Sequence, residues 1–280
     1  MLTRTALAVW GDPIEHSRSP ALHHAAYRAL GLDWEYGRRR VGAEEFDDAL
    51  AGLDARWRGI SCTMPLKERA FAASTVRDRR AEATGAVNTL LLGAAGGPRG
   101  WNTDVGGVVR TLAEEGVENV GRARIVGAGA TAASAVVALH ELGAGLIEVV
   151  ARRPERALPL IRLGESLGVS VIVAPLDSRE RENRVDVTVA TLPSGTELDP
   201  DVASALAERG GVLLDAAYAP WPSTLAAAWN AHGGAALSGL GMLLHQALLQ
   251  VRIFVNGDVD AVLADEADVL AAMRSALVGD

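Results

Sequence analysis

The fold of this chain is decided by one stretch, Arg124-Ile125-Val126-Gly127-Ala128-Gly129-Ala130-Thr131-Ala132-Ala133. An apolar run ends at Gly127, a G-x-G-x-x-A pattern follows, and the alanine-rich segment from Ala132 to Leu142 has helical composition. This order predicts a strand, a tight turn and a helix. Gly129 would let the backbone approach a pyrophosphate, which the free N–H groups at the helix start would hold. Because the chain contains 30 glycines, the pattern alone does not exclude a chance match.

The next predicted strand, Gly145 to Ala151, supports a dinucleotide site. NAD-binding units carry an acid at the tip of this strand for the ribose 2′-hydroxyl, whereas this chain has Ala151-Arg152-Arg153-Pro154-Glu155-Arg156. A guanidinium pairs well with a 2′-phosphate, so the stretch predicts NADP rather than NAD. The alternative is a solvated basic turn before a helix.

Strand and helix patterns alternate from Gly121 to Ala236, which predicts a doubly wound α/β domain. The loop Thr191 to Gly195 leaves the predicted carboxyl edge of the sheet, where such folds bind ligands. The candidate strands are Ala123 to Val126, Leu146 to Ala151, Val169 to Ala174, Val185 to Ala190 and Gly211 to Ala216.

Composition narrows the class of protein. With 49% hydrophobic and 22% charged residues, the 280-residue chain has the balance of an ordinary soluble globular protein of one large or two modest domains. A net charge of −8 argues against general nucleic-acid affinity, and no apolar run approaches the ~20 residues of a membrane span. The single cysteine, Cys62, fits a reducing cytoplasm. No metal-ligand spacing is present. The oligomeric state is left open, a homodimer included.

In the N-terminal half, a predicted strand from Thr5 to Trp10 precedes a loop and a helix from about Ala21 to Leu30. Ser19 followed by Pro20 predicts an N-cap with proline at the first helical position. That interpretation does not account for Ser17. Two hydroxyls beside the free N–H groups of a helix start would also make a carboxylate-binding site.

Three further polar residues, Lys67, Asn88 and Asp104, can each be explained by local structure without a ligand. Pro65 is expected to open a helix with Lys67 in its first turn, where a lysine opposes the helix dipole or is simply solvated beside Glu68. Asp104 would cap a helix from 105 to 115. Asn88 would be a turn residue. Spacing alone leaves these alternatives open.

Taken in order, the motifs resemble the shikimate dehydrogenase family along nearly the whole chain. The resemblance implies two α/β domains and NADP-dependent interconversion of 3-dehydroshikimate and shikimate. The substrate domain would be residues 1–104 completed by 240–280, and the Rossmann-like NADP domain residues 105–239. The stretches that carry the resemblance are Gly11 to Pro20 with Leu22-His23, Thr63-Met64-Pro65-Leu66-Lys67, Ala86 to Thr89, Asn102-Thr103-Asp104, Asp215 with Tyr218 and Pro220, and Gly239 to Leu243 with Gln246.

The resemblance also implies a role for each site residue. Lys67 and Asp104 would be the catalytic pair. The substrate would be bound by Ser17, Ser19, Thr63, Asn88, Tyr218 and Gln246. The pyrophosphate would be held by Gly127, Ala128, Gly129, Ala130 and Thr131, the 2′-phosphate by Arg152 with Arg153 or Arg156, and the nicotinamide pocket would be lined by Thr191, Ala216 and Gly239.

The chain departs from the family's pattern at several places. Ser61-Cys62-Thr63 stands where asparagine-valine-threonine is common, which puts one supporting hydrogen bond in doubt. Ala151 and Ala190 replace frequent asparagines. The alternatives are a quinate/shikimate or aminoshikimate dehydrogenase, and a non-catalytic NADP-binding regulator. Retention of both serines favours shikimate over the bulkier quinate, and retention of the catalytic pair argues against a regulator.

Overall fold

A computed structural model describes residues 4–93, 95–178 and 184–278. The chain divides into two compact units, Met1–Gly107 with Leu243–Asp280, and Val108–Met242. The boundaries between the units follow residues 107 and 242. The domain boundaries predicted from the sequence follow residues 104 and 239. None of the helices in the described ranges is long and apolar enough to cross a membrane.

The N-terminal half forms a mixed sheet with the strand order β2-β1-β3-β5-β6-β4. Strand β1 is parallel to β2 and β3, whereas β5 runs antiparallel to β3 and β6. The elements are β1 (Thr5–Gly11), α1 (Ser19–Ala29), β2 (Trp34–Arg40), α2 (Phe46–Ala51), β3 (Trp57–Cys62), α3 (Lys67–Ala73), β4 (Val76–Arg77), α4 (Arg79–Thr84), β5 (Thr89–Leu91), β6 (Arg99–Trp101) and α5 (Thr103–Glu114).

The second unit contains a six-stranded sheet with the order β12-β11-β10-β7-β8-β9, in which every neighbouring pair is parallel. This is the strand order of the Rossmann fold, and it reverses between β7 and β10. The predicted α/β class is confirmed. The elements are β7 (Arg122–Val126), α6 (Ala130–Glu141), β8 (Leu146–Ala151), a 3-10 turn (Pro154–Ala157), α7 (Leu158–Leu167), β9 (Ser170–Pro175), β10 (Val187–Ala190), α8 (Pro200–Glu208), β11 (Val212–Asp215), α9 (Thr224–Ala231) and β12 (Ala236–Ser238).

The centre of this sheet is apolar because both faces of a parallel sheet are covered. All four residues of β10 are buried. Arg124 in β7 is the charged exception, with its side chain fully buried. Its Nε donates to Glu148 Oε2 at 2.5 Å and its Nη1 to the Leu206 carbonyl at 3.2 Å, so the guanidinium is paired as a buried charge must be.

Two C-terminal helices, α10 (Leu240–Asn256) and α11 (Glu266–Val278), follow, and α10 packs on the first sheet. The His23 ring of α1 stacks on Tyr36 at 3.8 Å, and its Nε2 lies 3.2 Å from Gln250 Oε1 of α10. Burial lowers the pKa of His23 to about 3, so the imidazole is neutral. Gly59 lets Phe254 approach, because a Cβ there would lie 2.4 Å from the Phe254 ring.

Several predicted details are wrong at the ends of elements. Ser19 is the first residue of α1 rather than its N-cap. The cap is Arg18, and no side chain caps the helix. Pro65 does not open a helix, because α3 begins at Lys67 after a turn. The edge strand β12 is not among the candidate strands of the sequence, and it pairs with β11.

Candidate active site

A buried ion pair joins Lys67 to Asp104. Lys67 Nζ lies 2.5 Å from Asp104 Oδ2, and the two side chains are only 14% and 9% exposed. Lys67 is the first residue of α3 and Asp104 lies in the first turn of α5. The helix dipole favours the acid at its position and disfavours the lysine at its own, so the carboxylate supplies the charge that Lys67 needs.

Asp104 is held in place by the residues around it. Asn88 Nδ2 donates to Asp104 Oδ1 at 2.8 Å, and the Asp104 N–H donates to Asn102 Oδ1 at 3.1 Å. Asn88 Oδ1 in turn accepts the Thr103 N–H at 2.9 Å. Asp104 is therefore more than a helix cap, and Asn88 is more than a turn residue. The side chain of Asp104 is directed at Lys67.

The loop before Lys67 is fixed against the loop after β1. The Thr63 N–H donates to the Trp10 carbonyl at 2.9 Å, and the Asp12 N–H donates to the Met64 carbonyl at 3.0 Å. Gly11 makes this approach feasible, since a Cβ there would lie 2.4 Å from Thr63 Cγ2. The structure thus brings the loop that carries Thr63 next to the loop that carries Ser17.

Ser17 and Ser19 lie together at the start of α1. The Ser19 N–H donates to Ser17 Oγ at 3.4 Å. Gln246 in α10 is largely buried, and its Nε2 donates to the Leu243 carbonyl at 2.9 Å. Within the described part of the chain, no hydrogen bond ties these three side chains to the ion pair.

Ser61, where the family's pattern commonly has asparagine, is directed into the interior. Its hydroxyl accepts from the Tyr36 hydroxyl at 2.7 Å and donates to Gln250 Oε1 at 2.8 Å. Burial raises the pKa of the neighbouring Cys62 thiol to about 12, so it remains protonated.

In the second unit, the glycine-rich turn leaves open space before α6. Gly127 has φ +120°, and a Cβ there would lie 2.4 Å from Thr191 Oγ1, so these two predicted site residues meet. Gly129 is the N-cap of α6, and apart from Gly129 and its two chain neighbours no described protein atom lies within 4 Å of the position that a Cβ would take. Ala128, Ala130 and Thr131 complete the turn and the first helical residues. A backbone turn at a helix start with free space in front suits a phosphate.

Ala216 and Gly239 meet at the carboxyl ends of β11 and β12. A Cβ on Gly239 would lie 2.1 Å from the Ala216 carbonyl oxygen. Tyr218 follows in the loop after β11 and is half-buried. The sequence did not identify how this loop is held. Asp215 accepts the Ala217 N–H at 3.0 Å and the Ser223 hydroxyl at 2.6 Å, and burial raises the pKa of its carboxyl group.

The three arginines predicted for a 2′-phosphate lie just beyond the carboxyl end of β8. Arg152, Arg153 and Arg156 are exposed. Among the described ion pairs, none neutralises these arginines. The described residues also contain no group of three or more histidine, cysteine or acidic side chains placed to hold a metal ion.

Known proteins are similar to this chain in sequence and fold. The family model for the shikimate dehydrogenase substrate binding domain matches residues 9–90. The shikimate dehydrogenase (NADP(+)) of Rubrobacter xylanophilus is 37% identical over 96% of this chain and 94% of its own length. The shikimate dehydrogenase structure from Mycobacterium tuberculosis is 40% identical, with a TM-score of 0.84 over 97% of this chain and 99% of that one.

A second solved structure includes ligands. The Thermus thermophilus shikimate 5-dehydrogenase, in complex with NADP(H) and shikimate, is 30% identical to this chain, with a TM-score of 0.79 over 97% of this chain and 99% of its own. Similarity at this level over nearly the full length shows that the chain belongs to the shikimate dehydrogenase family.

Proposed function

We propose that this protein catalyses the NADP-dependent, reversible reduction of 3-dehydroshikimate to shikimate, with Lys67 as the proton donor and acceptor. The observation that carries the proposal is the ion pair between Lys67 Nζ and Asp104 Oδ2 at 2.5 Å, formed by two largely buried side chains 37 residues apart. Family membership supplies the reaction class. The free, buried Cys62 supports a reducing, cytoplasmic location for the enzyme.

Reduction of a ketone requires a proton at the oxygen as the carbon accepts hydride. An ammonium group can stabilise the developing alkoxide charge and then donate its proton, and such a positioned donor typically contributes about 10²–10⁴ in rate. Lys67 is the proposed donor. Asp104 orients the ammonium and keeps its charge balanced in a site with little solvent access.

The remaining substrate-binding residues would position the substrate ring next to Lys67. The hydroxyls of Ser17 and Ser19, beside the start of α1, are proposed to bind the substrate carboxylate. Asn88 is proposed to act on both substrate and Asp104, since its amide already donates to that carboxylate at 2.8 Å. Thr63, Gln246 and Tyr218 are proposed to contact the hydroxyl, carboxylate or keto groups.

The residues of the second unit fit NADP. Bound NADPH supplies the hydride. The turn from Gly127 to Thr131 would hold the pyrophosphate, supported by the open space at Gly129 and the helix start. Arg152, with Arg153 or Arg156, would hold the 2′-phosphate, supported by their exposure and the absence of an acid at the tip of β8. Thr191, Ala216 and Gly239 would line the nicotinamide pocket.

Steady-state kinetics of the purified protein test the proposal directly. Shikimate and quinate are each assayed with NADP and with NAD. We expect the highest kcat/KM for shikimate with NADP. A higher kcat/KM for quinate or for NAD would overturn the substrate or cofactor assignment. NADPH binding without any oxidation by 3-dehydroshikimate would point to a regulator instead of an enzyme.

A further inference from the structure

Three consecutive arginines on the exposed edge strand β2 have three different partners. The Arg39 guanidinium lies over the Trp10 ring, 4.9 Å from its centroid. Arg40 pairs with both carboxylate oxygens of Asp12, at 2.9 and 3.3 Å. Arg38 instead donates from Nε and Nη2 to the Ser17 carbonyl oxygen, at 2.8 and 2.5 Å. Arg38 is thus attached to the loop proposed to bind the substrate carboxylate.

The charge of Arg38 is not balanced by a carboxylate within the described ranges. Asp12 is engaged by Arg40, and Glu15 accepts the Ile14 N–H at 3.0 Å. A guanidinium carries five N–H donors, of which the carbonyl of Ser17 takes two. Donors on this cation therefore remain available to an anionic ligand.

Ser17 is held at every polar atom. Its N–H donates to the Ile14 carbonyl at 3.1 Å, its Oγ accepts the Ser19 N–H at 3.4 Å, and its carbonyl accepts from Arg38. The Ser17 hydroxyl hydrogen is still free to donate. Since two of the three contacts are local, Arg38 is the contact that attaches Ser17 itself to strand β2.

We infer that Arg38 is a specificity-determining residue for carboxylate substrates. It positions Ser17 through the backbone carbonyl, and its positive charge favours ligands that present a carboxylate at Ser17 and Ser19. The inference rests on the proposed function. It adds a residue that neither the motifs nor the family resemblance identifies.

The test compares Arg38→Gln with the wild-type enzyme on shikimate and on its uncharged methyl ester. With shikimate, we expect KM to rise about tenfold while kcat stays within about twofold, as for an interaction made equally in the ground and transition states. The KM for NADP should not change. With the methyl ester, the loss of kcat/KM should be several times smaller than with shikimate, because only the positioning of Ser17 still contributes and no carboxylate is present. Raising the salt concentration should weaken shikimate binding more in the wild type than in the variant.

Two further variants test whether the KM effect depends on the position of the arginine in β2 and on the guanidinium geometry as well as its charge. Arg39→Gln is the matched control on the same strand, and we expect kinetics like those of the wild type. Arg38→Lys keeps the charge but not the planar fork, so its KM should fall between those of the wild type and Arg38→Gln.

Three results would overturn the inference: an unchanged shikimate KM in Arg38→Gln, an equal loss with the ester, or the same KM increase in Arg39→Gln. A wild type inactive on shikimate would instead overturn the proposed function.

Discussion

Removing only one partner of the ion pair between Lys67 and Asp104 should lower the free energy of unfolding. Replacing Asp104 by asparagine keeps the shape and the hydrogen bond with Asn88, but leaves the Lys67 ammonium without a counter-charge. The Lys67 ammonium has no other ionic or hydrogen-bonding partner in the described structure. We therefore expect Asp104→Asn to be destabilised and Lys67→Met to be affected much less, because Asp104 retains the Asn88 amide.

The size of the stability loss depends on how little the two side chains are exposed to solvent. Breaking a buried pair costs about 3–5 kcal/mol, and the 14% exposure of Lys67 places Asp104→Asn near the lower end, about 3 kcal/mol. Lys67→Met should cost about 1 kcal/mol, the scale of one lost hydrogen bond. The double variant carries no buried charge, so it should lie within about 1 kcal/mol of the wild type, which requires a coupling energy of about 3–5 kcal/mol.

Urea denaturation of the four proteins, followed by tryptophan fluorescence at neutral pH, measures these differences. The exposed pair Arg56–Asp54, with side chains 47% and 56% exposed, provides the control, and its double-mutant cycle should show no measurable coupling. An Asp104→Asn variant as stable as the wild type, or a double variant that loses the sum of the two single losses, would contradict a stabilising coupling between Lys67 and Asp104.

Three other predictions concern the core and the cofactor. Because burial lowers the pKa of His23 from 6.5 to about 3, the unfolded state binds protons more readily below pH 6.5. Stability should fall by about 2 kcal/mol between pH 7 and 5, and His23→Asn should abolish this loss in urea titrations at both pH values. Gly59→Ala should lower stability by about 1–3 kcal/mol in denaturation, because its Cβ meets Phe254, whereas Gly37→Ala has open space and should not. Arg152→Ala should raise the KM for NADP about tenfold and leave that for NAD unchanged; equal effects on both would contradict a 2′-phosphate role.

Much of the second unit was predictable because most of its strands are predominantly apolar runs separated by helical segments. The run from Leu146 to Ala151 has the same bounds in β8. Strand β12 was missed because it has only three residues and none is fully buried. No hydrophobic period can be recognised over so short a segment.

Helix starts were less predictable. Ser19 before Pro20 has the composition of an N-cap, but Arg18 already has φ −90° and ψ −2°, so the helical conformation begins earlier. Side-chain preference alone does not determine where the backbone first turns helical.

The pairing at the candidate active site could not be derived from spacing. Lys67 and Asp104 begin different helices, and only the fold of the first sheet brings them within hydrogen-bonding distance. Resemblance to a family supplied that pairing. Arg38 was missed for a different reason, since three arginines on an edge strand are also typical of a strand protected against aggregation.

Turnover and binding of Lys67→Ala, measured separately, test the central claim most directly. We predict that kcat for shikimate oxidation falls by about 10²–10⁴ while the dissociation constant for shikimate changes by less than about threefold. A near-normal kcat with a large rise in KM would show that Lys67 only binds the substrate, and would contradict its assignment as the proton donor.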